Sequence, residues 1–245
     1  MVLVDGATGV LPTDDPALTL GFAVFETLRT YDGVPFRLDA HLARLAHSAT
    51  FCGIPYDEAA IRADIATVLT SGPHAAKLNV YLTGGGHRVV RAEPLDLARV
   101  GAPVRVVTRP WCPPAWLPGT IKHTSRLAWV LAARGVDEVL WEDRGGWTEA
   151  NRSNVFVVRG GVLLTPADDG RILRGVTRAA LLDAARSIDL PVSEGHVPVG
   201  PCDELYLAST LKELAPVVEV DGQPGPGGGP VGAALLAAFR ARIGG

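Results

Sequence analysis

Cysteine, methionine and lysine are all scarce in this 245-residue chain. Its three cysteines, Cys52, Cys112 and Cys202, are odd in number and far apart, with no C-x-x-C spacing. That excludes a disulfide framework and a structural zinc site, and no metal is expected. There is no basic excess either: 23 Lys and Arg against 26 Asp and Glu leave a net charge of −3, which excludes a nucleic-acid surface. No apolar run reaches the length of a membrane span, and no repeat recurs at solenoid spacing. The opening Met-Val-Leu-Val-Asp-Gly lacks the basic and apolar segments of a secretion signal, so a cytoplasmic protein is expected. What is abundant is apolar side chain. At 47% hydrophobic, the chain can bury one large core or two modest ones.

Only Lys77, Lys122 and Lys212 among the 23 basic residues are lysines. Arginine can neither form a Schiff base nor act as a base near neutral pH, so each lysine retained in an arginine-rich chain is a candidate for chemistry.

The pattern reads as mixed α/β. Ala23 to Tyr31 alternates like a strand and ends at the Asp32-Gly33 turn signal. Asp39 then suits the N-cap of a helix with Leu42, Leu45 and Ala49 inward and His41, Arg44 and His47 on other faces. A second helix follows Pro55, and strands are expected at Lys77 to Thr83 and Val104 to Thr108, joined through Gly84-Gly85-Gly86. The proline-rich stretch from Pro110 to Gly119 reads as a linker. The expected domains are therefore residues 1–108, a small α/β domain, and 119–245, a larger one, with 109–118 between them. In the second, a helix is expected over Ser125 to Arg134, strands at Glu138 to Trp141, near Thr148 and at Asn154 to Val158, a helix after Gly175, a strand over Leu205 to Ala208, and a last helix from Val231.

Four places could carry chemistry. Lys122 has apolar neighbours Ile121, Leu127, Trp129 and Val130, and burial there would lower its amine pKa; alone, the segment reads better as a surface lysine at a helix start. Gly175-Val176-Thr177-Arg178 opens a helix whose N–H groups could seat a phosphate, or whose Thr177 could be an ordinary N-cap. Ser209 and Thr210 end an apolar strand as further phosphate donors or turn caps, and Lys212 beside Glu213 reads as solvated. Glu149 lies between apolar strands and needs a partner, with Arg152 as a candidate. A lysine, a carboxylate and two phosphate seats, in that order, are what pyridoxal phosphate requires.

These residues resemble the class IV aminotransferases, the fold-type-IV pyridoxal phosphate enzymes, over nearly the whole chain. The resemblance rests on Val24-Phe25-Glu26-Thr27-Leu28-Arg29, His41-Leu42-Ala43-Arg44-Leu45, Thr148-Glu149-Ala150 with Ser153-Asn154-Val155-Phe156, Ile172 to Arg178, and Ser209-Thr210 through Pro216. It implies a two-domain α/β homodimer with pyridoxal 5'-phosphate at the domain interface. It makes Lys122 the Schiff-base lysine and proton shuttle, and Glu149 the partner of the pyridine nitrogen. Arg44, Val176, Thr177 and Thr210, with Gly175 and Ser209 beside them, would hold the phosphate, and Leu173 would pack on the ring. Phe25 and one of Arg29, Arg88 and Arg91 are the candidate substrate contacts, a guanidinium suiting a carboxylate.

Leu127, five residues after the lysine, stands where branched-chain members have a tyrosine, and so resembles the D-amino acid aminotransferases and deoxychorismate lyases. Lys122-His123-Thr124-Ser125-Arg126-Leu127 resembles the lyase pattern K-H-x-N-R-L. The leading expectation is transamination between a D-amino acid, extending to R-amines, and a 2-oxo acid. The alternative is 4-amino-4-deoxychorismate lyase; less favoured are a branched-chain L-aminotransferase and a silent cofactor-binding protein.

Overall fold

The computed structural model describes residues 1–70, 72–111, 113–114 and 116–243. Cys112 and Ala115, both in the stretch expected as a linker, lie outside these. The chain forms two compact units, Met1–Leu97 with Ile121–Arg126, and Ala98–Thr120 with Leu127–Gly245. The first crossing thus falls at Leu97 instead of after residue 108, because Val104–Pro110 pairs with strands of the second unit. Among the described residues no helix is long and apolar enough to cross a membrane.

The first unit contains β1 (Val2–Val4), α1 (Pro16–Thr19), β2 (Ala23–Tyr31), β3 (Val34–Pro35), α2 (Leu38–Cys52), α3 (Glu58–Thr70), β4 (Ala76–Thr83) and β5 (Arg88–Pro94). They form an antiparallel sheet in the order β1-β5-β4-β2-β3. Strand β5 was not legible in the sequence, since Arg88, Arg91 and Glu93 break its apolar alternation, and the Gly84-Gly85-Gly86 turn leads into it and not into residue 104. Side chains alternate across a strand. Val24 and Leu28 of β2 therefore share a face with Leu78, Val80 and Leu82 of β4, and they pack against Leu42, Leu45 and Ala49 of α2 and Ile61, Ile65 and Val68 of α3. Glu26 lies on that same face, between Val24 and Leu28. Phe25 lies on the other, stacked on Tyr81, its register partner, at 5.7 Å between ring centroids. The N-cap of α2 is Arg37 in a left-handed conformation instead of Asp39, and His41 is buried, not outward-facing.

In the second unit β6 (Val104–Pro110) is followed by α4 (Leu127–Ala132), β7 (Glu138–Asp143), β8 (Gly146–Ala150), β9 (Asn154–Arg159), β10 (Val162–Pro166), α5 (Val176–Ser187), β11 (Val192–Gly195), β12 (Val197–Pro198), β13 (Glu204–Ser209), β14 (Glu213–Val220), β15 (Gln223–Pro224) and α6 (Pro230–Ala241). Within the sheet, β9-β13-β14-β6-β7-β8 return on themselves, because β8 also pairs β9. The ring encloses a core of alternating residues: Val104 and Val106, Val155 and Val157, Leu205 and Leu207, Ala215 and Val217. Helix α4 starts two residues later than expected, because Thr124 and Ser125 spend their hydroxyls on the Gly21 carbonyl.

Candidate active site

In the first unit, β3 pairs only with Thr30 and Tyr31, which leaves the opening of β2 without a β3 partner. Residues 122–124 take that place. The Phe25 N–H donates to the Lys122 carbonyl (3.0 Å), the Thr124 N–H donates to the Ala23 carbonyl (2.9 Å), and Val24 bridges to His123. The Lys122 N–H donates to Ser48 Oγ of α2 (3.1 Å). Both peptide groups of the lysine are thus fixed by backbone and α2. Its half-buried side chain carries Nζ over the Phe25 ring, 4.8 Å from the centroid.

Behind the sheet lies a buried ionic cluster. The carboxylate of Glu26, fully buried, accepts from Arg44 Nε (2.6 Å) and Nη2 (2.8 Å), and lies 2.8 Å from His41 Nδ1. Burial alone would raise its pKa, but the Arg44 guanidinium and His41 hold it well below the ordinary carboxylate range. Burial pushes His41 down, against the pull of Glu26. The ring is therefore neutral, and because an ionised carboxylate only accepts, Nδ1 carries the proton. Its buried Nε2 has no hydrogen-bond partner.

The second unit places a carboxylate beside the segment that opens a helix. Glu149, on β8, accepts the Leu173 N–H (3.0 Å) at Oε2, and Asn154, its register partner on β9, donates Nδ2–H to the Leu173 carbonyl (3.0 Å). Both sides of Leu173 are so pinned, and the chain runs from there into α5. Gly175 is the N-cap, without a side-chain cap, and Thr177 sits buried in the first turn instead of capping it. The N-terminal N–H groups of that turn thus have no side-chain cap from residue 175. A Cβ at residue 175 would collide with Asn154 Oδ1. Gly175→Ala should cost about 2–3 kcal/mol and weaken anion binding together; thermal melting with and without phosphate would show a smaller ligand-induced shift in the variant.

Other residues fall elsewhere. Ser209 closes the β13–β14 hairpin opposite Glu213, with Thr210 next to it. Lys212 is not solvated: its Nζ lies 2.6 Å from Oε1 of fully buried Glu138, which also accepts from Ser153 Oγ (2.7 Å) and the Arg152 N–H (3.0 Å). Arg88 faces α3 and pairs with Asp64 (2.5 Å), Arg91 pairs with Glu93, and Arg29, buried, stacks on Tyr31 at 4.0 Å. Four residues of strand separate Arg29 from Phe25, about 13 Å. These contacts set the three expected arginines beside Tyr31, Asp64 and Glu93. The Arg126 guanidinium lies 5.2 Å from the centroid of the Phe25 ring that also carries Lys122 Nζ. Its signal in the sequence was its place four residues beyond Lys122 in an extended segment.

Residues 23–220 match the family model for Amino-transferase class IV, and the chain belongs to that family. It is 33% identical to a probable branched-chain-amino-acid aminotransferase of Thermotoga maritima, over 83% of this chain and 81% of that protein. Identity to a D-alanine aminotransferase of Listeria innocua is 27%, over 90% and 86%. A solved structure of a hypothetical aminotransferase from Mycobacterium tuberculosis, bound to alpha-ketoglutarate and PMP, superposes with a TM-score of 0.88 at 26% identity, covering 99% of this chain and 98% of that one. The fold is that of the fold-type-IV enzymes.

Proposed function

We propose that the protein is a pyridoxal 5'-phosphate-dependent transaminase that moves an amino group from a D-amino acid to a 2-oxo acid. The observation that carries the transaminase reading is the clamping of Lys122 by Phe25 and Ser48, which presents one amine at a fixed place. The residues present fit the cofactor. The uncapped start of α5, with Gly175, Val176 and Thr177, suits the phosphate. Leu173 offers an apolar face, and the carboxylate of Glu149 suits a protonated ring nitrogen. When bound, the cofactor supplies the electron sink that acidifies the substrate α-hydrogen. Lys122 would hold the cofactor through Nζ, and its free amine would carry the proton between the substrate α-carbon and the cofactor carbon that had borne the lysine. Glu149 would keep the ring-nitrogen proton in place by charge.

A D-amino donor is favoured by Leu127, where branched-chain members carry tyrosine, and by the D-alanine aminotransferase relative spanning 90% of the chain. The Thermotoga relative favours a branched-chain L-amino donor as the second reading. The reading includes a homodimer, which light scattering would check. Its direct test mixes the cofactor-loaded protein with D-alanine, L-leucine or aminodeoxychorismate and follows the visible cofactor band. D-alanine should bleach the band and pyruvate or 2-oxoglutarate restore it. Bleaching by L-leucine alone would make the enzyme a branched-chain one, steady 4-aminobenzoate release would make it a lyase, and no response to any donor would end the transaminase reading.

A further inference from the structure

A transaminase must grip the one group its donor and acceptor share, the carboxylate next to the reacting carbon. That carbon is bonded to the nitrogen which takes over the place of the lysine amine. The carboxylate receptor therefore has to stand close to Lys122 Nζ. Nζ lies 4.8 Å from the Phe25 centroid and the Arg126 guanidinium carbon 5.2 Å from it, so the two cations are within 10 Å of each other. Resting on the transaminase reading above, we infer that Arg126 is the residue that binds the substrate α-carboxylate, with Phe25 as the shared platform that holds it beside Lys122.

The local architecture prepares Arg126 for this. Thr124 Oγ1 and Ser125 Oγ both donate to the Gly21 carbonyl, at 2.7 and 2.8 Å. Gly21 has a φ of +65°, and a Cβ there would press on Ser125 Oγ at 3.3 Å, so glycine lets the two strands come this close. The two anchors set the direction in which residue 126 leaves the segment. Phe25 is itself held by Tyr81 on its register row. His123, between the two cations in sequence, is pushed down first by burial and then by Arg126 and Lys122, which disfavours a third positive charge beside them. A guanidinium can clasp a carboxylate through two parallel N–H···O bonds of about 2.7–2.9 Å. Lysine would offer a point charge and less orientation.

The test compares wild type, Arg126→Ala and Arg126→Lys in the cofactor-loaded protein. Stopped-flow bleaching is measured with the D- or L-amino acid that wild type prefers and with a primary amine lacking a carboxylate, such as R-phenylethylamine. Calorimetry measures the binding of 2-methylpropanoate, which carries the carboxylate but has no amine. Arg126→Ala should raise the half-saturating amino acid concentration about 100-fold and weaken 2-methylpropanoate by a similar factor, roughly the loss of one buried charge-assisted pair. The amine should react as before, and Arg126→Lys should recover part of the loss. Equal losses with amino acid and amine would assign Arg126 a structural role and overturn the inference, as would unchanged 2-methylpropanoate binding. Wild type inert toward every donor would overturn the transaminase reading itself, a distinct outcome from a working enzyme indifferent to Arg126.

Discussion

Lys122→Ala is expected to lower transamination by about 10⁴-fold or more while the protein stays folded. The side chain is half-buried, and the segment is held by peptide groups, which alanine retains. Neither of the other lysines can substitute. Lys77 Nζ sits 2.7 Å from Glu93, and Lys212 Nζ is held 2.6 Å from buried Glu138. None of the arginines can take over, since a guanidinium does not release its proton in proteins. The variant should still bind the cofactor non-covalently, seen as a shifted absorbance band after gel filtration, and millimolar methylamine should restore a measurable fraction of turnover. Activity above about one percent of wild type without added amine would mean that another group moves the proton.

Glu26→Gln should be the most destabilising single change in the first unit, costing about 3–5 kcal/mol at pH 7, because it leaves the Arg44 cation in the core without its counter-charge. The pH dependence follows from the two displaced groups. The folded pKa of Glu26 lies below its ordinary 4.5, so its stabilisation is complete above that value and is lost as pH falls towards the folded value. His41 is also pushed down from 6.5, so below that pH the unfolded chain takes up a proton the folded one refuses. Stability should therefore decline gently below about pH 6.5 and steeply below about pH 4.5. Urea midpoints between pH 3 and pH 8 would show the steep limb in wild type and a shallower one in Glu26→Gln, where Asp5, Glu93 and Asp169 still titrate below their ordinary values. An unchanged acid limb would place the sensitivity elsewhere.

The placement of these groups shows which parts of the sequence could be read unaided. The places of Glu149 and Gly175 in the fold could be read because their signals are local: a carboxylate after a hairpin and a glycine opening a helix. Strand β2 could be found because its alternation is regular. The role of Glu26 could not, since a carboxylate between Val24 and Leu28 looks like an error until α2 brings His41 and Arg44 over it. Lys212 was misread for the same reason: its partner Glu138 is brought to it by the strand pairings β14–β6 and β6–β7 and is remote in sequence. Arg29, Arg88 and Arg91 were sensible candidates by residue type. Strand register turned them toward Tyr31, Asp64 and Glu93, and register is set by pairings that a single sequence does not display.

The pairing of residues 122–124 with the start of β2 also has a meaning in time. Some hundred residues of chain separate Ala23 from Thr124. At about 5–20 residues per second of synthesis, the opening of β2 would wait roughly 5–20 s for its partner. Until then its backbone donors and acceptors form an open edge, the kind that recruits other nascent chains. The strip that carries Lys122 thus ends an interval of vulnerability during birth. Substitutions at Thr124 or Ser125 should reveal themselves first as lower soluble yield in cells growing fast, before any deficit is seen in the purified enzyme.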